Sequence, residues 1–487
     1  MKRTSKPRVM VIGFDSASWM SVDPLLEAGR MPNLNRLVEN GVRGALQSTI
    51  PYVSAPAWAS FATGSNPGRH GVFDFMHKDP RGYGMSVVNA NSVRLPTLWD
   101  LLSAQGLRVG VLNVPVTFPP RPVNGAMVTG VLTPDLDSEF THPPELKDRL
   151  LAAIPDYILE PTLSGIVSRV EMKERLLRET VQAAERRADA ARLLLDEVAD
   201  WDFFAVIFTG LDRLQHYLWD DADPHHPLHD PASAERFGGA IEAHYEQLDR
   251  LLGELLEEGD SETTVIVMSD HGMTSVHQFF FPNQWLAREG YLHWHRRRAS
   301  DLLDQGRQIL RRIGLAELAK KIRGWIFPGW EGPRQLRSAA FARDVDWAQT
   351  RVFWATDNGF WLNVKGREPR GIIDPGAEYD ALCAELKRKL LSLRDPMYDQ
   401  PVISEVWRRD ELYDGPYTSV GPDLRIVWNE FASEHRAYSA ASELWGDDVF
   451  GYTPIVGDHV RDGILVASGR GTRSGEVVQG ATLLDLA

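Results

Sequence analysis

The chain of 487 residues has a single cysteine, Cys383. No disulfide can form within it, so the fold cannot depend on oxidation. It has no apolar run long enough to span a bilayer, no internal repeat and no low-complexity tract. It also lacks a basic excess: 53 Lys and Arg stand against 67 Asp and Glu, a formal charge of −14. That balance argues against a general nucleic-acid binder, which would show a basic face. The N-terminus, MKRTSKPRVMVIGFD, has an apolar run too short for a signal-peptide core, and Asp15 follows it where a small-residue cleavage site would stand. The run reads as a first strand, and the expected compartment is the cytoplasm. At the other end, Leu484-Asp485-Leu486-Ala487 shows no evident capping element, which leaves room for a tail beyond it.

What is present is ordinary for a globular protein: 43% hydrophobic and 25% charged residues, enough for a sizeable core. Short runs rich in Val and Ile stand at Arg8–Phe14, Val109–Asn113, Phe203–Phe208, Thr263–Met268 and Gly463–Ala467. They are nearly continuous in apolar residues, as strands buried on both faces of a parallel sheet are. Helical patterns lie between them at Met31–Glu39, Leu98–Ala104, Val170–Val198 and Ala240–Glu257. The alternation implies a doubly wound α/β core. The expected organisation is a core beginning over residues 1–135, an insertion with a long helix over 136–200, and more core over 201–292. A basic helical cap follows over 293–345, and the core is completed over 346–487.

The segment His293–Arg343 is locally basic, with Arg296, Arg297, Arg298, Arg311, Arg312, Lys320 and Lys321 among its cations. Apolar residues recur at helical spacing on either side of Gly314, as in two short amphipathic helices. A solvated lid is the plain reading. A cap that attracts an anionic substrate, or a surface touching anionic lipid through Trp325, Phe327 and Trp330, are the sharper ones.

Chemistry-bearing residues stand where the strands end. Asp15 closes the first strand, in VIGFDS. Beyond Phe208 comes TGLDRLQHYLW, whose Asp212 and His216 share a face if the segment is helical. Beyond Met268 comes SDHGM, with Asp270 and His271 adjacent in a loop that Gly272 frees. His459 enters a Gly-bounded turn in VGDHVRDGILVASG. Taken singly, Asp15 serves as well as a helix cap, Asp212 and His216 as a surface pair, and His459 as a loop histidine. Together they change the reading, because parallel strands bring their tips to one edge of the sheet. Three carboxylates crowded there could not all stay ionised without a cation. Six mixed N and O ligands exceed one tetrahedral site and suit two divalent cations, zinc first and manganese second, rather than calcium. Ser54, in YVSAPAWASFATGSNPGRHGVFDF, reads alone as a turn residue ahead of Pro56. Beside a metal pair it becomes a nucleophile that needs no separate base.

These pieces, VIGFDS, VSAPAWASFATGSNPGRHGVFDF, TGLDRLQHYLW, SDHGM and GDHVRDGILVASG, span nearly the whole chain. Their order resembles that of the alkaline phosphatase superfamily. The resemblance is to its type I phosphodiesterase/nucleotide pyrophosphatase branch and the related bacterial phosphohydrolase/phosphomutase group. It implies a three-layer core with a mostly parallel central sheet and helical insertions. It implies that Asp15, Asp270 and His271 ligate one metal that also touches Ser54, and that Asp212, His216 and His459 ligate the other. Many phosphodiesterase relatives use threonine where Ser54 stands. Some nucleotide pyrophosphatases hold a phosphoryl oxygen with an asparagine downstream of the nucleophile; that register falls near Phe75 here. Asn113, in VLNVPVTFPP, is the substitute candidate for substrate contact, with a loop-stabilising amide as the alternative. His70 and Asp74 read as structural, and His277 as outer shell or surface.

The expected function is hydrolysis of a phosphate diester or pyrophosphate in a small, nucleotide-like substrate, through a covalent phosphoserine. A phosphomonoesterase, or a phosphomutase that passes the phosphoryl group to another alcohol, would use the same site. A catalytically weak metal-binding module at a membrane or protein surface is the reading from a different class.

Overall fold

A computed structural model describes residues 6–79, 82–161, 169–295, 341–356, 359–431, 436–440 and 448–487. The first strand shows why the core has three layers. Along Arg8–Phe14, Met10, Ile12 and Phe14 pack into one apolar cluster and Val9 and Val11 into another. Period-2 alternation sends successive side chains to opposite faces, and both faces are covered.

The first face carries helices Pro32–Asn40, Arg169–Glu197, Gly210–Ala222 and Ala240–Leu256 through residues such as Leu34, Leu194, Leu214 and Leu248. The second carries Ser54–Thr63 and Leu98–Ala104 through Trp58, Phe61 and Trp99, and the short turn of helix Leu483–Leu486 closes against it.

Among the described residues the sheet between them has nine strands. Their order is Glu476–Thr482, Gly41–Gln47, Asp462–Ser468, Thr263–Met268, Arg8–Phe14, Phe203–Phe208, Val109–Leu112, Gly125–Val128 and Thr141–His142. The five from Thr263–Met268 to Gly125–Val128 run parallel. Asp462–Ser468 is antiparallel to its neighbours on both sides. The α/β core with a mostly parallel sheet is therefore as expected. Each strand and helix anticipated in it is present within a residue or so at its ends. Beyond the strands anticipated, Glu476–Thr482 follows Asp462–Ser468 and pairs with Gly41–Gln47.

Residues beyond 341 do two things. Val352–Thr356, Gly359–Leu362, Leu424–Trp428 and Ile403–Arg408 form a separate four-stranded antiparallel sheet. With helix Ala377–Leu391 it has an apolar cluster of its own, rich in tryptophan: Trp285, Trp347, Trp354, Trp361 and Trp428. The chain then returns through Gly457–Val460, which pairs antiparallel with Gly272–Phe280, to the large sheet. The basic cap expected over 293–345 lies outside the described residues for 296–340, as do 162–168 of the expected insertion. No described helix is long and apolar enough to cross a membrane.

One buried ion cluster fastens the long helix to the helix that carries Asp212. Lys173 Nζ, 2% exposed, lies 3.1 Å from Asp220 Oδ1 and 2.5 Å from Asp221 Oδ2, and Arg169 donates to Asp220 from the rim at 2.7 Å. Removing one member of a buried pair strands the others, at a cost of about 3–5 kcal/mol. Lys173→Met is expected to destabilise the protein by about that much, read as a lowered urea midpoint. An unchanged midpoint would show that Arg169 alone compensates both carboxylates.

Candidate metal and catalytic centre

Three adjacent strands deliver the acidic groups. Thr263–Met268, Arg8–Phe14 and Phe203–Phe208 lie side by side and parallel, so their carboxyl ends meet at one edge of the sheet. The chain leaves the middle strand at Asp15. It leaves one neighbour at Ser269, Asp270 and His271, and the other at Thr209, where helix Gly210–Ala222 begins. That helix buries Leu211, Leu214 and Leu218 against the sheet. Asp212 and His216, four apart, fall together on an adjoining face. His459 reaches the same place from the strand Gly457–Val460, not from a turn.

Two groups result: Asp212, His216 and His459 in one, and Asp15, Asp270 and His271 in the other. In the first, His459 Nε2 lies 3.1 Å from Asp212 Oδ1 and 3.2 Å from His216 Nε2, and His216 Nε2 lies 3.4 Å from Asp212 Oδ1. A tetrahedral cation with bonds of about 2.0–2.1 Å sets its ligand atoms about 3.3 Å apart. These three are already spaced that way. In the second, His271 Nε2 is 3.1 Å from Asp270 Oδ2 and 4.0 Å from Asp15 Oδ1. Asp270 Oδ2 is fully buried and has no hydrogen bond. A cation between that carboxylate oxygen and the imidazole nitrogen would satisfy both. The His271 and His459 rings, one from each group, stand 3.9 Å apart between centroids.

The ring nitrogens have backbone partners that permit ligation. His216 Nδ1 lies 2.8 Å from Gly457 O, and His271 Nδ1 lies 3.2 Å from Gly272 O. In the tautomer with a proton on each Nδ1, each Nε2 lone pair faces its group.

Ser54 is the first residue of helix Ser54–Thr63, on the other face of the sheet. The Ala-rich run favours the helix, and Gly64 ends it at φ 56°. Ser54 is 7% exposed, with Oγ 3.1 Å from His271 Nε2. One turn on, Trp58 Nε1 donates to Asp15 Oδ2 at 3.0 Å and pins this helix to the central acid.

The electrostatics are those of a crowded site. Burial, then the charges of Asp270 and Asp212, push the Asp15 carboxyl well above its ordinary value. Burial and Asp212 push Asp270 up as well. Asp212 goes the other way: burial opposes, but His216 and His459 outweigh it and hold the carboxyl well down. Burial would lower His216, yet its partner Asp212 raises it to about 9. Burial, then His459, keep His271 well below the ordinary imidazole range.

Sequence reasoning did not single out Ser16, Trp58 or Gln215. Ser16 Oγ donates to Asp212 Oδ1 at 2.9 Å, and Gln215 Nε2 donates to Ser16 O at 3.1 Å. The available signals were position alone: Ser16 follows Asp15, and Trp58 stands one turn after Ser54. Asn113 is fully buried at φ 59°, and its Nδ2 donates to Ile207 O at 2.9 Å. Among the described residues it makes no hydrogen bond to either group. His70 is buried against Ser60 Oγ at 2.9 Å. His277 is buried between Asp223 and Tyr398 rather than at the surface.

The family profile described as Type I phosphodiesterase / nucleotide pyrophosphatase matches residues 9–447. No curated protein matches the chain. Three solved structures are similar. Phosphonoacetate hydrolase from Sinorhizobium meliloti 1021, in complex with phosphonoacetate, is 16% identical at a TM-score of 0.55, over 99% of this chain and 94% of that one. An alkaline phosphatase PafA mutant is 14% identical at 0.54, over 100% and 95%. Murine ectonucleotide pyrophosphatase / phosphodiesterase 5, inactive and in complex with AMP, is 13% identical at 0.51, over 99% and 93%. At these identities the likeness is one of fold.

The charge pattern sets a pH dependence for metal-free protein. Asp15 and Asp270 have raised folded-state values, so their protonation favours folding, and that contribution falls as pH climbs above 3.8. His216 contributes stability that is complete below 6.5 and lost as pH rises through about 9. Asp212, held low, contributes throughout that range. Chelated protein is expected to melt at a lower temperature at pH 9 than at pH 6, and added Zn2+ to narrow the difference, by scanning calorimetry. A melting temperature that rises with pH in the chelated protein would contradict this reading.

Proposed function

The chain belongs to the type I phosphodiesterase/nucleotide pyrophosphatase family, among the metal-dependent phosphohydrolases of the alkaline phosphatase superfamily, and from that premise we propose that it cleaves a phosphate diester or pyrophosphate bond through a covalent phosphoserine at Ser54. The observation that carries the proposal is Ser54 Oγ, 3.1 Å from His271 Nε2 of the Asp15, Asp270 and His271 group.

Asp15, Asp270 and His271, with Ser54 Oγ, would hold one cation, and Asp212, His216 and His459 the other. The donor set of three carboxylates and three imidazoles suits zinc first and manganese second. Two such ions supply Lewis acidity, lowering the pKa of a hydroxyl and neutralising charge on phosphoryl oxygens.

The chain's own part is placement. Ser54, its hydroxyl proton lost to solvent, attacks phosphorus in line through Oγ; the bond from phosphorus to the leaving oxygen breaks, and the alcohol or phosphate departs on the opposite side and takes up a proton from solvent. Water then attacks the phosphoserine and returns the hydroxyl to Ser54. The start of a helix favours the negative charge that gathers there. Trp58 holds Asp15 against the same helix, so nucleophile and acid keep a fixed spacing. Catalysis of phosphoryl transfer consists mostly of such positioning and charge neutralisation.

The preference for a diester or pyrophosphate rests on the family match. The substrate is a small phosphate ester of nucleotide-like kind, and the compartment we propose is the cytoplasm, where a chain with one buried thiol, Cys383, keeps its fold without disulfides.

Ser54→Ala is expected to lower turnover of bis(p-nitrophenyl) phosphate by at least about a thousandfold. The phosphoenzyme should disappear from acid-quenched samples while bound metal stays at the wild-type level. Wild-type turnover in that variant would remove Ser54 from the reaction. His459→Ala is expected to lose both metal and activity; a full metal complement would remove His459 from the site.

A further inference from the structure

Ser16 is the residue of this centre that the reaction above leaves without a part. It is fully buried and holds a left-handed backbone, φ 67°, a conformation that costs an L-residue energy and persists only where the surroundings impose it. Its contacts explain the imposition. The hydroxyl donates to Asp212 Oδ1 at 2.9 Å, lies 3.2 Å from His271 Nδ1 and 3.4 Å from Asp15 Oδ1. The Ser16 N–H donates to Asp270 Oδ1 at 3.4 Å. The carbonyl accepts from Gln215 Nε2, on the helix that carries Asp212 and His216. One residue therefore touches four of the six ligand side chains and members of both groups.

A hydroxyl has one proton to give. Where Ser16 gives it depends on His271. When His271 carries its proton on Nε2, that N–H faces Ser54 Oγ and Asp270 Oδ2, and the bare Nδ1 accepts from Ser16. When His271 carries the proton on Nδ1, it donates to Gly272 O and Ser16 Oγ, and the Ser16 proton is left to Asp212 Oδ1. Asp212 Oδ1 is the oxygen that faces both His216 Nε2 and His459 Nε2. A cation bound through His271 Nε2 requires the second arrangement. It thereby directs the Ser16 hydroxyl onto Asp212 and fixes that carboxylate toward its two histidines. Resting on the two-cation reading above, we propose that Ser16 is a positioning residue that links the two ligand groups, so that filling the His271 group prepares the Asp212 group for its own ion.

The test uses full-length protein stripped with chelator and titrated with Zn2+ by calorimetry. Wild type is expected to take up two ions with a linked isotherm, its Hill coefficient above one. Ser16→Gly removes the hydroxyl and relieves the left-handed strain. It is expected to bind ten- to a hundredfold more weakly, the range for loss of an outer partner of metal ligands, with the Hill coefficient falling to one. Its metal-free melting temperature should stay level or rise. A purely structural serine would instead lower the melting temperature and the affinity together. Ser16→Ala, which keeps the Cβ, should lose the same linkage. Wild-type affinity and linkage in both variants would overturn the role of Ser16 and leave the two-cation reading standing. Failure of wild type to bind two ions would overturn both.

Discussion

Like charges forced together at the edge of a sheet govern this molecule. Parallel pairing of three neighbouring strands leaves the chain no choice about where Asp15, Asp212 and Asp270 arrive, and burial denies water to Asp15 and Asp270. Asp15 and Asp270 respond by resisting ionisation, while Asp212 stays ionised by drawing His216 to itself. The arrangement is unfavourable as a protein and sensible as a receptacle. Cations remove the repulsion, and the energy released is binding energy.

The scaffold around this edge is correspondingly overbuilt. The segment before the nucleophile is fastened by the tryptophan-rich sheet: Tyr413 donates to Ile50 O at 2.6 Å, and Tyr52 Oη accepts from Trp428 N at 3.2 Å. Downstream, Arg425 donates to Phe73 O at 2.8 Å. The separate sheet thus braces the nucleophile helix from outside while Trp58 ties it to Asp15 from within. Tolerances of a few tenths of an ångström at a reacting oxygen call for both.

The core is legible in the sequence because strands buried on both faces read as unbroken apolar runs, and so are Asp15, Asp212, Asp270 and His271, which stand just past such runs. Phe203–Phe208 and Thr263–Met268 are the clearest cases. Gly41–Gln47 and Glu476–Thr482 were not legible. Each is short of Val and Ile, and Gly44 and Gly480 interrupt the pattern. Gly44 is required there, since a Cβ would meet Val478 O at 2.4 Å. Gly457 and Gly463 suggest a turn around His459, yet pairing with Met273 makes it a strand residue. Ser16 gave no pattern at all. Its importance lies in one hydroxyl that meets Asp212 and His271, 196 and 255 residues further along the chain, and no local period encodes that.

The two ligand groups join residues that lie far apart along the polypeptide, Asp15 and His459 among them. Translation makes Asp15 and Ser54 long before His459. A chain cut short of His459 would still carry Asp15, Asp270 and His271, but only Asp212 and His216 of the other group. The second group is thus the last to be completed, and it cannot form without the strand Gly457–Val460.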